Sequence, residues 1–184
     1  KSIRPGNLLA YWPLSKPSGT TIADETGNGR TGTYEGSITV GRPGIGDGRT
    51  SASFPGTVAA GDIFSVSLHY AFDGASGTIA LWARASDDEV FSSTTVRQLF
   101  QTQGSAASSM GIRHRGVTSD ISFLYTSGGT AKTLSSSIST EDWFHIVGTW
   151  DGGGNVVVGY YKGVQYAAAS ALGLWGTAKF SSTS

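Results

Sequence analysis

An all-β fold, either a two-sheet antiparallel sandwich or a barrel, is predicted by three features of this chain. Short alternations of apolar and polar residues recur along it, with turn signals about every eight to twelve residues. No stretch repeats the i, i+3, i+4 pattern of an amphipathic helix over three turns. The composition also suits a turn-rich β protein: there are 27 glycines in 184 residues, and charged residues make up only 14%.

The elements follow in order. Residues 1–7, with Pro5-Gly6, are a lead-in. Leu8–Leu14 is the first expected strand, ended or bulged by Pro13, which cannot donate to a ladder. Thr21–Asp24 is short and extended. Asp24-Glu25-Thr26-Gly27-Asn28-Gly29 forms a compact loop of residues that tolerate positive φ. Thr31–Tyr34 and Ser37–Val40 are short strands. Gly41–Arg49 is a glycine-rich surface loop; it lacks the Gly-Lys-Ser/Thr ending and the following helix of a phosphate loop. Ser51–Phe54 and Asp62–Leu68 are the next strands. In Gly77–Arg84, Ile79, Leu81 and Ala83 share one face, and Ala80 and Trp82 the other. Val96–Gln103, Met110–His114, Asp120–Thr126 and Lys132–Ile138 follow.

Trp143–Gly152 is the strongest strand. Phe144, Ile146 and Trp150 point one way; Trp143, His145, Val147 and Thr149 point the other. Neither set is strongly polar, so both faces are expected to be covered. Asn155–Tyr161, a tight Lys162-Gly163 turn and Val164–Ala168 complete a meander. Thr177–Phe180 is a last short strand. No domain boundary or internal repeat is visible, so residues 1–184 read as a single domain.

Lys plus Arg and Asp plus Glu each number 13, and the formal net charge is zero. That balance argues against a nucleic-acid or anionic-membrane partner, which would select a basic patch. No apolar run approaches the roughly 20 residues that cross a bilayer as a helix. With no cysteine, disulfides, thiolate metal sites and a cysteine nucleophile are excluded. His69, His114 and His145 show no metal-ligand spacing, and His145 reads as a structural histidine.

Two kinds of site are legible. Asp24, Asn28 and the carbonyls of the Asp24–Gly29 loop are candidate Ca²⁺ ligands, because calcium takes six to eight oxygens from tight loops; the alternative is an Asx-type turn that holds the loop. Exposed aromatic rings stack on sugar faces. The candidates are Tyr34, Tyr70, Tyr125 and Trp175, whereas Trp12, Trp82 and Trp150 sit in strongly apolar strands and are expected in the core.

Several blocks resemble one family. Leu9-Ala10-Tyr11-Trp12-Pro13-Leu14, then Ser18-Gly19-Thr20 and Ala23-Asp24-x-x-Gly27-Asn28-Gly29, look like the opening of a laminin-G-like domain of the concanavalin A-like lectin/glucanase superfamily. Phe54-Pro55-Gly56, Gly77 to Arg84, Trp143 to Asp151 and Tyr160-Tyr161-Lys162-Gly163 are similar to later blocks, in the same order. The resemblance spans Leu8 to about Leu172. It implies a jelly roll of two curved antiparallel sheets, and a family of mostly non-catalytic modules that bind glycans or proteins or pack inside larger assemblies. It also implies calcium near the Asp24 loop, with a partner aspartate in a closing strand. That closing motif is missing, so the native polypeptide is expected to continue beyond Ser184, or another chain to supply the strand.

The superfamily's glucanases carry Glu-x-Asp-x-Glu or Glu-x-Asp-x-x-Glu on one strand, which sets two carboxylates on one face. No such motif occurs here. Asp87-Asp88-Glu89 and Glu141-Asp142 read as loop and turn acceptors. The expectation is a non-catalytic recognition or adhesion module that binds carbohydrate, on a larger extracellular, cell-surface or viral-surface protein. The alternative is a structural accessory protein of a virion, a capsid decoration or fibre domain held by protein–protein contacts. Its partners would be a glycan or a protein of a surface assembly, and the chain itself could form a homo-oligomer or a larger symmetric array.

Overall fold

In the computed structural model, residues 7–55, 61–66, 76–85, 96–105, 108–115, 120–138 and 142–173 are described. Among them the chain is all-β, with thirteen strands and no α-helix. Every strand pairing is antiparallel. The strands fall into two compact units, β1–β5 and β6–β13.

In the first unit, β1 (Thr21–Ile22), β2 (Gly32–Glu35) and β5 (Ile63–Ser65) form a sheet in the order β1-β2-β5. β3 (Thr39–Pro43) and β4 (Thr50–Ser53) pair as a separate ribbon. The inward residues Ile22 and Tyr34 are buried. Around Tyr34 gather Phe64 at 5.5 Å and Phe54 at 6.2 Å between ring centroids, and Trp12 meets Phe64 edge-on at 5.8 Å. Gly32 makes this possible, since a Cβ there would fall inside the Phe64 ring, 2.0 Å from Cζ.

The segment from Leu8 to Leu14 is not a strand, contrary to its apolar pattern. It runs irregularly to Leu14, where φ is 51°. Side chains of the following loop and the Glu25 backbone amide, rather than a ladder, take up its backbone groups.

The second unit holds two four-stranded sheets. One runs β10-β9-β8-β7, a meander of β7 (Val96–Ser105), β8 (Ser108–Arg115), β9 (Asp120–Ser127) and β10 (Thr130–Ser137). The other runs β13-β12-β11-β6, from β6 (Ser76–Ala83), β11 (Phe144–Asp151), β12 (Val156–Tyr161) and β13 (Val164–Ser170). Two hairpins are closed by residues with positive φ in both turn positions: Gly128-Gly129 between Ser127 and Thr130, and Lys162-Gly163 between Tyr161 and Val164. That is the combination a two-residue hairpin needs to match strand twist.

Period-two alternation then builds the core. Phe144, Ile146 and Trp150 of β11 are buried, while His145, Val147 and Thr149 are half-buried. Opposite them, β8 and β9 contribute Met110, Ile112, Ile121, Phe123 and Tyr125, and β10 contributes Leu134. Tyr125 and Trp150 approach to 6.4 Å across this core. The sandwich is thus drawn together by large side chains on one sheet seated over glycines on the other or beside them. A Cβ on Gly148 would stand 2.6 Å from the Phe123 ring; one on Gly77 would stand 2.5 Å from Trp150, its cross-strand neighbour. At Gly159 the obstacle is Tyr166, 2.3 Å away. Tyr166 lies at the register shift of the β12–β13 pair, where Gly159 opposes Ala167 and Tyr160 opposes Gln165. The bulge re-aims its ring over Gly159, and its hydroxyl donates to the Leu134 carbonyl at 3.4 Å. The last expected strand, Thr177–Phe180, lies outside the described residues.

Candidate functional site

The Asp24 loop is a clamp on the segment before it. Asp24 follows β1 and is buried. Its Oδ1 accepts from the Tyr11 backbone at 2.9 Å, the Thr26 backbone at 3.0 Å and the Thr26 hydroxyl at 2.7 Å. Burial pushes the carboxyl up, but these donors outweigh it and hold Asp24 below its ordinary value of 3.8. Asn28 turns its amide nitrogen, not its oxygen, toward the carbonyls of Leu8 and Leu9, at 3.3 and 3.0 Å. Arg30 donates to the Leu9 carbonyl as well, and its own carbonyl accepts from Trp12 Nε1 at 2.6 Å.

Against a calcium ion this set fits poorly. Asn28 turns its donors to the chain, so of the two proposed ligand side chains only Asp24 Oδ2, which has no hydrogen-bond partner, is left to face a cation. Among the described residues no three acidic or histidine side chains gather as a metal-ligand group. The geometry is that of the Asx-type turn.

Of the aromatic candidates, Tyr34 and Tyr125 are 6% and 1% exposed. The expectation that they are exposed platforms is corrected: each sits at an inward position of its strand and is packed against other rings, Tyr34 on Phe54 and Phe64, Tyr125 on Trp150. Tyr70 and Trp175 lie outside the described residues.

A different surface carries the most exposed aromatic among the described residues. Trp82 was expected in the core and instead is 51% exposed on β6. The β6–β11 register sets Trp82 opposite His145 and Ala83 opposite Phe144. Continuing it by one residue brings Arg84 opposite Trp143. The four side chains form a square on one face: the Trp82 and His145 rings lie 4.9 Å apart at 31°, and the Arg84 guanidinium lies 5.7 Å from the Trp143 ring. Burial holds the His145 imidazole below its ordinary value, so it is neutral at pH 7. Ala80, Val147, Thr78 and Thr149 extend the same face along the two strands. The result is an open shelf with two indole rings, Trp82 exposed and Trp143 half-buried, one cation and one imidazole with hydrogen-bonding nitrogens. Sequence reasoning identified which residues share this face but took it to be covered.

Elsewhere, the exposed Tyr11 ring has the Arg49 guanidinium over it at 5.8 Å, and Arg49 pairs with Glu25 at 3.2 Å. That ring is engaged within the chain.

Compared with known proteins, the chain matches no family model, and no curated protein sequence matches it.

Proposed function

We propose that this protein is a non-catalytic recognition module that binds carbohydrate through the Trp82 shelf. The observation that carries the reading is Trp82 itself, a large ring half exposed on a sheet face and stacked beside His145. A half-exposed indole held on a paired strand offers a flat apolar face for a ligand to cover. A sugar suits this one: its C–H face stacks on the ring while Arg84, His145 and Thr149 offer hydrogen bonds to its hydroxyls. The sequence resemblance to laminin-G-like jelly rolls belongs to the same reading: the all-β antiparallel architecture agrees with it, and its blocks Gly77–Arg84 and Trp143–Asp151 are the pair of strands that build the shelf. On this reading the domain serves a larger extracellular, cell-surface or virion-surface protein.

A glycan array followed by titration calorimetry tests it. A neutral glycan should bind, and Trp82→Ala should abolish that binding while leaving the melting temperature within about 2 °C. No binding across the array, or binding unchanged in Trp82→Ala, would refute the shelf. Recovery of the chain in a large symmetric assembly without glycan binding would favour the structural role in a virion.

A further inference from the structure

The other sheet of the second unit carries a groove of its own. It is a cavity of about 140 Å³ on the face of β7, β8 and β9 that points away from the core, bounded by Gln98, Gln101, Ser109, Gly111, Arg113 and Leu124. The register explains it. Gln98 pairs with Arg113, and Gln101 pairs with Gly111, which pairs in turn with Leu124. Gly111 is the floor: an added Cβ would stand 3.0 Å from the Phe100 carbonyl and 3.7 Å from Gln98 Oε1, so the missing side chain is what leaves the groove open. Leu124 supplies an apolar wall, and the two exposed glutamines and Ser109 a polar one.

Among the described residues, the groove's one charge is Arg113. Two residues along the same strand, Arg115 is paired with Asp120 at 3.0 Å. Arg113 joins no ion pair among the described residues, and its Nε is buried without a hydrogen-bond partner. A half-buried guanidinium with an unmade hydrogen bond is costly, and its planar fork matches a carboxylate.

We infer that this groove binds a carboxylate-bearing sugar residue, with the carboxylate on Arg113, hydroxyls on Gln98, Gln101 and Ser109, and the ring edge against Leu124. The choice of sugar over acidic peptide rests on the recognition reading above; the carboxylate requirement rests on Arg113 alone. The volume holds several waters, which such a ligand would displace.

The test is a titration followed by nuclear magnetic resonance, with sodium glucuronate, glucose and poly-glutamate as probes, on the whole chain. Glucuronate should shift resonances of β7 and β8, more weakly at high salt, and glucose should not. Arg113→Gln should weaken glucuronate binding about tenfold or more, and Arg113→Lys should recover part of it. Gln101→Ala, an exposed change that spares the fold, should weaken it by a smaller factor. Trp82→Ala should leave it unchanged, which separates this site from the shelf: loss of glycan binding at one leaves the other standing. Equal binding of glucose and glucuronate, or binding indifferent to both Arg113→Gln and Gln101→Ala, would overturn the inference. So would binding of poly-glutamate with none of glucuronate, which would assign the groove to a protein partner.

Discussion

Gly148 of β11 offers the sharpest test of how this sandwich is packed. In a strand interior, glycine to alanine alone should gain about 0.5–1 kcal/mol, because alanine loses less backbone freedom on folding. Here the new methyl would stand 2.6 Å from Cδ2 and Cε2 of Phe123, against about 3.5–4.0 Å for a relaxed carbon contact. The ring must therefore retreat by roughly 1 Å, yet Phe123 is 0% exposed and wholly enclosed. Overpacking of this kind costs about 1–3 kcal/mol, more than the gain. Gly148→Ala should lower the urea midpoint at unchanged m-value and, net of that gain, the melting temperature by about 1–8 °C. Phe123→Ala alone should cost about 3–5 kcal/mol by leaving a cavity. In the double variant the methyl enters space the ring vacated, so the pair should be less destabilised than the sum, by about 1 kcal/mol or more. A neutral or stabilising Gly148→Ala, or strict additivity in the cycle, would refute the steric account.

Other outcomes follow from the same geometry. Asp24→Asn should destabilise the first unit by about 1.5–3 kcal/mol, since a charged acceptor of three hydrogen bonds becomes a neutral one; thermal melting reads it, and added Ca²⁺ should not raise the wild-type midpoint. Asp24 is held below 3.8 in the fold, so its contribution is present above that pH and lost as pH falls through the folded value, a slope that Asp24→Asn should remove. Burial, joined by nearby Arg97 and opposed by Asp120, holds His114 below 6.5, and burial alone does so for His145. The unfolded chain then takes up protons first, so stability should be full at pH 8 and decline as pH drops below about 6.5; His145→Gln should flatten part of that decline in pH-dependent melts. At the alkaline end, burial raises Tyr34 and Tyr166 to about 12. The unfolded tyrosines ionise first, so stability should fall between about pH 10 and 12, and Tyr166→Phe should blunt the fall as followed by ultraviolet absorbance.

The strands were largely legible because alternation and turn chemistry are local. Gly77–Arg84 and Trp143–Gly152 were placed within a residue of β6 and β11, and the Lys162-Gly163 turn adopts positive φ at both positions, as a two-residue hairpin needs. What failed needed knowledge of neighbours. Leu8–Leu14 has a strand's apolar content, but its amides and carbonyls are taken by Asp24, Asn28 and Arg30 rather than by a partner strand, and no local pattern reports that. Trp82 was assigned to the right face, yet alternation says only which residues share a face, not which face another layer covers. Tyr125 shares the inward set of Ile121 and Phe123, a signal in the sequence that could have marked it as core. The groove at Gly111 had no sequence signal beyond a glycine in mid-strand, which reads equally as a bulge.

The pairing of β6 with β11 has a consequence for how a newly made chain behaves. Residues 84–143 lie between the paired ends Ala83 and Phe144, and closing a loop of that size costs about 3.6 kcal/mol of chain entropy. The meander β7–β10 has no such debt, because each strand there pairs with its neighbour in sequence. It should therefore assemble early and bring β6 and β11 within reach, with their union as a late, slow step. Until then the apolar flank of β11 is an open edge, able to template another copy. Aggregation during refolding should consequently depend on protein concentration, and a substitution that weakens β6 should raise it more than an equally costly one in β13.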